Sequence, residues 1–145
     1  MEFSRHVTIN WAGPIMEGSG TVAAGSGAFS LPVTFPRRIG EPEGVTSPEE
    51  LMAAAHAACF AMALNATVGR KGGAIAKTEI SCKVTADKGE SGIKITTSAL
   101  SVIAEGLTGI AAEDFAEVAK AAEAGCPVSN AYRGSMTVTL ETTVK

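Results

Sequence analysis

Charge of one sign is scarce in this chain: 12 Lys and Arg stand against 15 Asp and Glu, a formal net charge of −3. So small an imbalance makes no strong field for nucleic acid or anionic lipid, and neither is expected as a partner. Long hydrophobic runs are also missing. The longest, Leu51 to Leu64, is interrupted by His56 and falls short of the roughly 20 residues a membrane-spanning helix needs, so a buried helix and no membrane partner are expected. Met1 to Trp11 carries Glu2, Arg5 and His6 without an apolar core of leader length, which points to a cytoplasmic protein. Cysteine is too sparse for a disulfide scaffold. Three thiols in a reducing compartment cannot all pair with one another, so each is weighed as reactive, metal-binding or structural.

What is present fits a packed fold. With 46% hydrophobic and 19% charged residues over 145 positions, the chain can bury a core, and its length suits one domain spanning residues 1–145. Short apolar runs punctuated by Gly13, Gly18, Gly20, Gly25 and Gly27 predict three antiparallel strands over Ser4 to Trp11, Ser19 to Ala24 and Ala28 to Val33. A loop holding Pro36, Arg37, Arg38, Gly40 and Pro42 follows. Ser47, Pro48 and Glu50 then have the spacing of a helix start, with a serine cap, proline in the first turn and a glutamate placed to close a capping box. The Ala-rich helix runs to about Val68, before Gly69, Gly72 and Gly73, and is apolar on nearly every face.

Alternation at Ile80, Cys82 and Val84, and again from Gly92 to about Ala104, predicts two paired strands. Glu113 to Ala124 has helical spacing and stops at Gly125, a short helix begins after Cys126 and Pro127, and Ser135 to Val144 alternates as a last strand. This order predicts an α+β fold, with antiparallel sheet elements around a long buried central helix. Few other helices are available to cover that helix. A homodimer that packs two copies together is the economical solution.

Three cysteines and their neighbours are the candidates for chemistry. Cys59 lies within the central helix beside Ala57, Ala58 and Phe60, where an inert core thiol and a reactive one are both open readings. Cys126 precedes Pro127 at a helix junction, where free backbone N–H groups favour thiolate, although a small residue fits there for packing alone. Cys82 shares a strand face with Ile80 and Val84 and reads as structural. His56 is three residues before Cys59 on the same helical face, close enough to tune it or share a metal, though a satisfied helical histidine is the plainer reading. Zinc needs four ligands and His56, Cys59 and Cys126 make three, so neither a metal nor a cofactor is expected. Adjacent Arg37 and Arg38 are solvated loop charge or the cation a thiolate needs, and Glu49 and Glu50 complement the helix dipole. With Glu50 in the capping box, Glu49 is free to orient an arginine.

Thr46-Ser-Pro-Glu-Glu-Leu51, Ala54-Ala-His-Ala-Ala-Cys-Phe60 and Gly125-Cys-Pro-Val-Ser129 together resemble the OsmC/Ohr peroxidase family. The likeness extends over essentially the whole chain, through Trp11 and Gly13, the Gly18-Ser-Gly20 turn and the Phe35 to Arg38 loop, and the wording is closer to the OsmC branch. The resemblance implies an intertwined homodimer with its two central helices at the heart and a site near the subunit boundary on each side. It implies Cys59 as the peroxidatic cysteine, Cys126 as the resolving one, Glu49 as the carboxylate and Arg38 as its arginine, with adjacent Arg37 the alternative. It also implies organic hydroperoxide as substrate, a Cys59 sulfenic acid captured as a Cys59–Cys126 disulfide, and a dithiol reductant, with lipoyl dithiols as used in the Ohr branch one candidate. Phe60, Met62 and nearby aliphatic side chains are expected to suit an alkyl or lipid hydroperoxide. Helical rise places Glu49 and Cys59 about 15 Å apart, so the two are expected to serve one site from different subunits. The rival reading is a non-catalytic dimer that binds a hydrophobic small molecule and keeps its cysteines as structural thiols.

Overall fold

Alternation and glycine turns in the first third of the chain produce a three-stranded antiparallel sheet of β1 (Val7–Ala12), β2 (Ser19–Ala24) and β3 (Ser30–Val33), in that order. Gly13, at φ 93°, turns the chain out of β1. It comes so close to Gly18 that a Cβ added there would sit 2.9 Å from the Gly18 Cα. The computed structural model describes residues 1–145, and they divide into two units, Met1–Leu51 and Met52–Lys145.

The segment read as a loop after β3 is a one-turn helix, α1 (Phe35–Ile39). Its signals are short but complete. The Thr34 hydroxyl accepts from the Arg37 amide at 3.3 Å, proline occupies the first turn and Gly40 ends it. Helix α2 (Pro48–Arg70) then begins as the Ser47-Pro48 signal requires, with the Ser47 hydroxyl accepting from the Glu50 amide at 3.1 Å. The capping box is only half formed. The Glu50 carboxylate accepts from the Thr46 hydroxyl at 2.7 Å rather than turning back to the Ser47 amide, which pairs a hydroxyl that would otherwise be buried without a partner.

The second unit holds the rest of α2, a sheet of β4 (Ala74–Gly89), β5 (Gly92–Thr108) and β6 (Thr137–Val144), and helices α3 (Phe115–Ala124) and α4 (Pro127–Tyr132). A single 3-10 turn, Ala112–Asp114, leads into α3. Strands β4 and β5 form a long antiparallel hairpin, whereas β6 lies parallel to β5, with Thr97 opposite Thr137 and Ala104 opposite Val144. Alternation fixes which residues share a face but not strand direction. Parallel pairing follows from the helical crossover through α3 and α4.

The core of this unit gathers Leu100, Val102 and Ala104 from β5, Phe115, Val118 and Ala122 from α3, and Phe60, Leu64 and Val68 from α2. Each fully buried side chain of Phe or Leu size contributes about 1.5–3 kcal/mol. Helix α2 is 23 residues long and holds an 18-residue stretch with a mean hydropathy of 1.5, enough by length and composition to cross a bilayer and longer than the apolar run alone indicates. One face packs as a core helix does: His56, Phe60, Leu64, Thr67 and Val68 are its buried residues. The burial expected on every side is not reached within one chain, and Met62 is 69% exposed. In the first unit, every residue of β1 is exposed, including Val7, Ile9 and Trp11.

Candidate active site

The first unit contributes an ion pair. Helix α1 presents Arg38, and the first turn of α2 presents Glu49. The guanidinium Nη2 meets Glu49 Oε1 at 2.7 Å, and Nε reaches Oε1 at 3.1 Å and Oε2 at 3.2 Å. Two donors on one carboxylate fix the orientation of the guanidinium as well as its place. Hydrogen bonding to Glu49 raises the Arg38 pKa despite some burial. Burial is the largest influence and pushes Glu49 up, but the Arg38 hydrogen bonds, a backbone hydrogen bond and the Arg38 charge together outweigh it and hold the carboxylate below its usual range. Arg37 turns outward to Glu43 at 2.6 Å, a largely exposed pair, so Arg38 is the arginine that engages Glu49. Beside Arg38 lies a groove of about 280 Å³ lined by Ile9, Trp11, Val22, Val33 and Leu51.

The second unit brings two thiols together. Cys59, on α2, is half-buried, and Cys126, immediately before α4, is wholly buried. Although 67 residues separate them in sequence, they are close enough for Cys126 to shift the Cys59 thiol, and both are free. Burial pushes the Cys59 thiol up, the Val128 backbone N–H pulls it down, and the Cys126 side chain pushes it up again. The sequence places the free amides of α4 at Cys126. Instead, Cys126 makes no side-chain cap, and it is the Cys59 thiol whose pKa the Val128 N–H lowers. A cleft of about 330 Å³ beside Cys59 is lined by Met62, Arg70, Ala121 and Pro127. Phe60 is not part of it. One residue further along a helix turns the side chain by about 100°, which sends Phe60 into the core.

His56 also lies in this unit, wholly buried. Its Nδ1 meets the Ser98 hydroxyl at 2.6 Å and its Nε2 the Ser129 hydroxyl at 2.7 Å. Burial lowers its pKa and so favours the neutral ring, with Glu123 opposing and Arg133 reinforcing the shift. It is therefore a satisfied helical histidine with both nitrogens occupied by serines. Cys82 packs on the same group, its Sγ 3.3 Å from the Ser98 hydroxyl, and burial raises its thiol pKa. Tyr132 places its ring edge-on to His56 at 5.1 Å between centroids and donates its hydroxyl to the Met52 carbonyl at 2.9 Å. Ser98, Ser129, Tyr132 and the Val128 amide were not legible as site groups in the sequence. Val128 and Ser129 alone carried a signal, through their place in the Gly125-Cys-Pro-Val-Ser129 run.

Two sheets and a long helix, with an oriented arginine–glutamate pair in the first unit and two neighbouring free thiols in the second, make this an α+β protein. The OsmC-like protein family matches residues 40–141. The chain is 40% identical over 131 residues to the peroxiredoxin OsmC of Escherichia coli (strain K12), covering 89% of this chain and 90% of that protein. It is 34% identical over 126 residues to the organic hydroperoxide resistance protein OhrA of Bacillus subtilis (strain 168), covering 84% and 86%. The crystal structure of the Bacillus subtilis organic hydroperoxide resistance protein OhrB aligns with a TM-score of 0.73 at 29% identity, over 95% of this chain and 98% of that one. The chain belongs to the OsmC-like family.

Proposed function

We propose that this protein is a thiol-dependent peroxidase that reduces organic hydroperoxides to alcohols, with Cys59 as the attacking thiolate and Cys126 as the resolving thiol. The observation that carries the reading is the proximity of these two free thiols, 67 residues apart in the sequence. The names of the family relatives support the substrate class. The Cys59 sulfur attacks the distal peroxide oxygen, the O–O bond breaks, and the alkoxide leaves and takes up a proton. Sulfur loses two electrons and becomes sulfenic acid. Cys126 then forms the S–S bond, water leaves, and an external dithiol, with lipoyl groups a candidate, reduces the disulfide while becoming oxidised itself. This cycle suits the cytoplasm, where dithiol reductants are maintained.

A nucleophile pushed up by burial needs a cation; Arg70, in the cleft beside Cys59, donates to the Thr67 hydroxyl at 3.0 Å, and no cation is among the groups that shift the thiol. Arg38, oriented by Glu49, fits the role: it would stabilise the thiolate first and the departing alkoxide later. Along one helix, ten residues from Glu49 to Cys59 amount to about 15 Å of rise. We therefore assign the pair to the Cys59 of a second copy in a homodimer. Exposed apolar side chains on β1 and on α2 give such a partner surfaces to cover. Both units then act as one peroxidase domain, and the groove beside Arg38 suits an alkyl chain better than hydrated hydrogen peroxide.

Stopped-flow mixing of reduced protein with cumene hydroperoxide and several dithiols tests this reading. Rapid loss of thiols and repeated turnover, faster than with hydrogen peroxide, are expected. Thiols that survive the hydroperoxide would instead favour a non-catalytic protein that binds a hydrophobic ligand.

A further inference from the structure

Peroxidase chemistry accounts for Cys59 and Cys126 but not for the polar side chains beside them. His56 and Ser129, each three residues from one of those cysteines, are both wholly buried. Burial of polar groups is costly unless they are paired, and an apolar pair of similar shape would fill the space at less risk. Their placement forms a pattern. Helix α4 carries Cys126 at its cap, then Ser129, then Tyr132. These meet Cys59, His56 and the Met52 carbonyl respectively. Steps of three on one element answer steps of three and four, in reverse order, on the other. One face of α4 thus runs antiparallel along one face of α2.

Apolar contacts alone would let so short a helix slide or tilt, whereas hydrogen bonds between fixed atoms specify one register. The His56 ring is fixed as well. Ser98, on β5, holds Nδ1 while Ser129 holds Nε2, and Tyr132 closes the ring edge-on. We propose that His56 is a positioning residue for the resolving step: anchored by Ser98, it holds Ser129, and with it α4, in the register that keeps Cys126 against Cys59. Tyr132, through the Met52 carbonyl, is the second tether of the same helix. In its catalytic sense this inference rests on the peroxidase reading. Its geometric content, that the tethers set the effective concentration of one thiol at the other, does not.

The step affected is disulfide closure. Cys126 sulfur attacks the sulfenic sulfur of Cys59, the S–S bond forms, the S–O bond breaks, and the departing hydroxide takes the Cys126 proton to become water. Its competitor is a second hydroperoxide molecule, which oxidises the waiting sulfenic acid to sulfinic acid. Misplacing a reacting group by about 1 Å can cost up to about 100-fold in rate, so loss of one tether should be visible in this competition.

Two measurements on the full chain separate the possibilities. The first needs no peroxide: reduced protein is equilibrated with mixtures of reduced and oxidised dithiothreitol, and the Cys59–Cys126 disulfide is quantified by mass after alkylation. Ser129→Ala should lower the equilibrium constant for the disulfide about tenfold, and Tyr132→Phe, which removes only a hydroxyl, about threefold. Val102→Ala, a core truncation on β5 that removes none of these hydrogen bonds, should lower the melting temperature and leave that constant unchanged. In the second, cumene hydroperoxide is titrated, and the concentration giving equal disulfide and sulfinic acid should fall by the same factors, while the first oxidation of Cys59 stays within about twofold. Unchanged constants in both tether variants, or an equal change in Val102→Ala, would overturn the positioning role. A tether effect in the dithiothreitol equilibrium, together with a wild-type protein that hydroperoxide leaves untouched, would uphold the positioning and remove the peroxidase reading instead.

Discussion

Cys59→Ser is expected to consume no organic hydroperoxide under conditions in which the wild-type protein turns over, a loss on the order of 10³-fold or more, because a serine hydroxyl cannot form the nucleophile that attacks peroxide. Cys126→Ser separates the two thiol roles. It should oxidise once at Cys59 and then stall, accumulating sulfenic and more oxidised forms, because the thiol meant to capture the sulfenic acid has gone. Cys82→Ser should remain active, since Cys82 packs against Ser98 and His56 and its thiol is pushed up by burial. Steady-state hydroperoxide consumption and intact-mass analysis of the three variants check this set. Wild-type turnover in Cys59→Ser would remove the mechanism, and wild-type turnover in Cys126→Ser would remove the resolving role alone.

Comparable in size is the effect of separating Glu49 from Cys59. Glu49→Ala releases Arg38 from the two-donor contact that orients it, and removal of such an electrostatic group at a reacting centre costs about 10²–10³-fold. Glu49→Ala and Cys59→Ser homodimers should therefore both be nearly inactive. Mixed and allowed to exchange subunits, they should regain activity. Each heterodimer would hold one site with both defects and one with neither, the intact site joining Glu49 and Arg38 of one protomer to Cys59 of the other. An absence of recovery after demonstrated exchange would place all the groups within one chain.

The local signals in the sequence were strong where they depended on neighbours. Ser47 and Pro48 announce the start of α2, Gly125 and Pro127 bracket the junction at Cys126, and β2 falls on the residues that its glycine-punctuated apolar run predicts. Signals failed where the deciding partner was remote or the element very short. Helix α1 is a single turn between proline and glycine, which reads as a loop until the Thr34 cap is considered. The direction of β6 depends on a crossover that periodicity does not encode. The candidate site divides in the same way. Arg38 and Glu49 are eleven residues apart and their pairing was inferred from the family pattern. His56 binds serines 42 and 73 residues away, and nothing local marks either serine as its partner. Cys59 illustrates a third limit. Its neighbours suit an inert core thiol equally well, and the groups that bear on the proposed reactivity, Cys126 and the Val128 amide, come from far along the chain.

Mass mapping after a single stoichiometric dose of alkyl hydroperoxide tests the thiol pairing most directly. Reduced protein is oxidised, remaining thiols are blocked with an alkylating agent, and the digest is analysed without reduction. The expected result is one intramolecular disulfide between Cys59 and Cys126 with Cys82 alkylated, a bond that requires the two Cα atoms to lie within about 7 Å. A disulfide that includes Cys82, or three alkylated thiols after the hydroperoxide has been consumed, would contradict it.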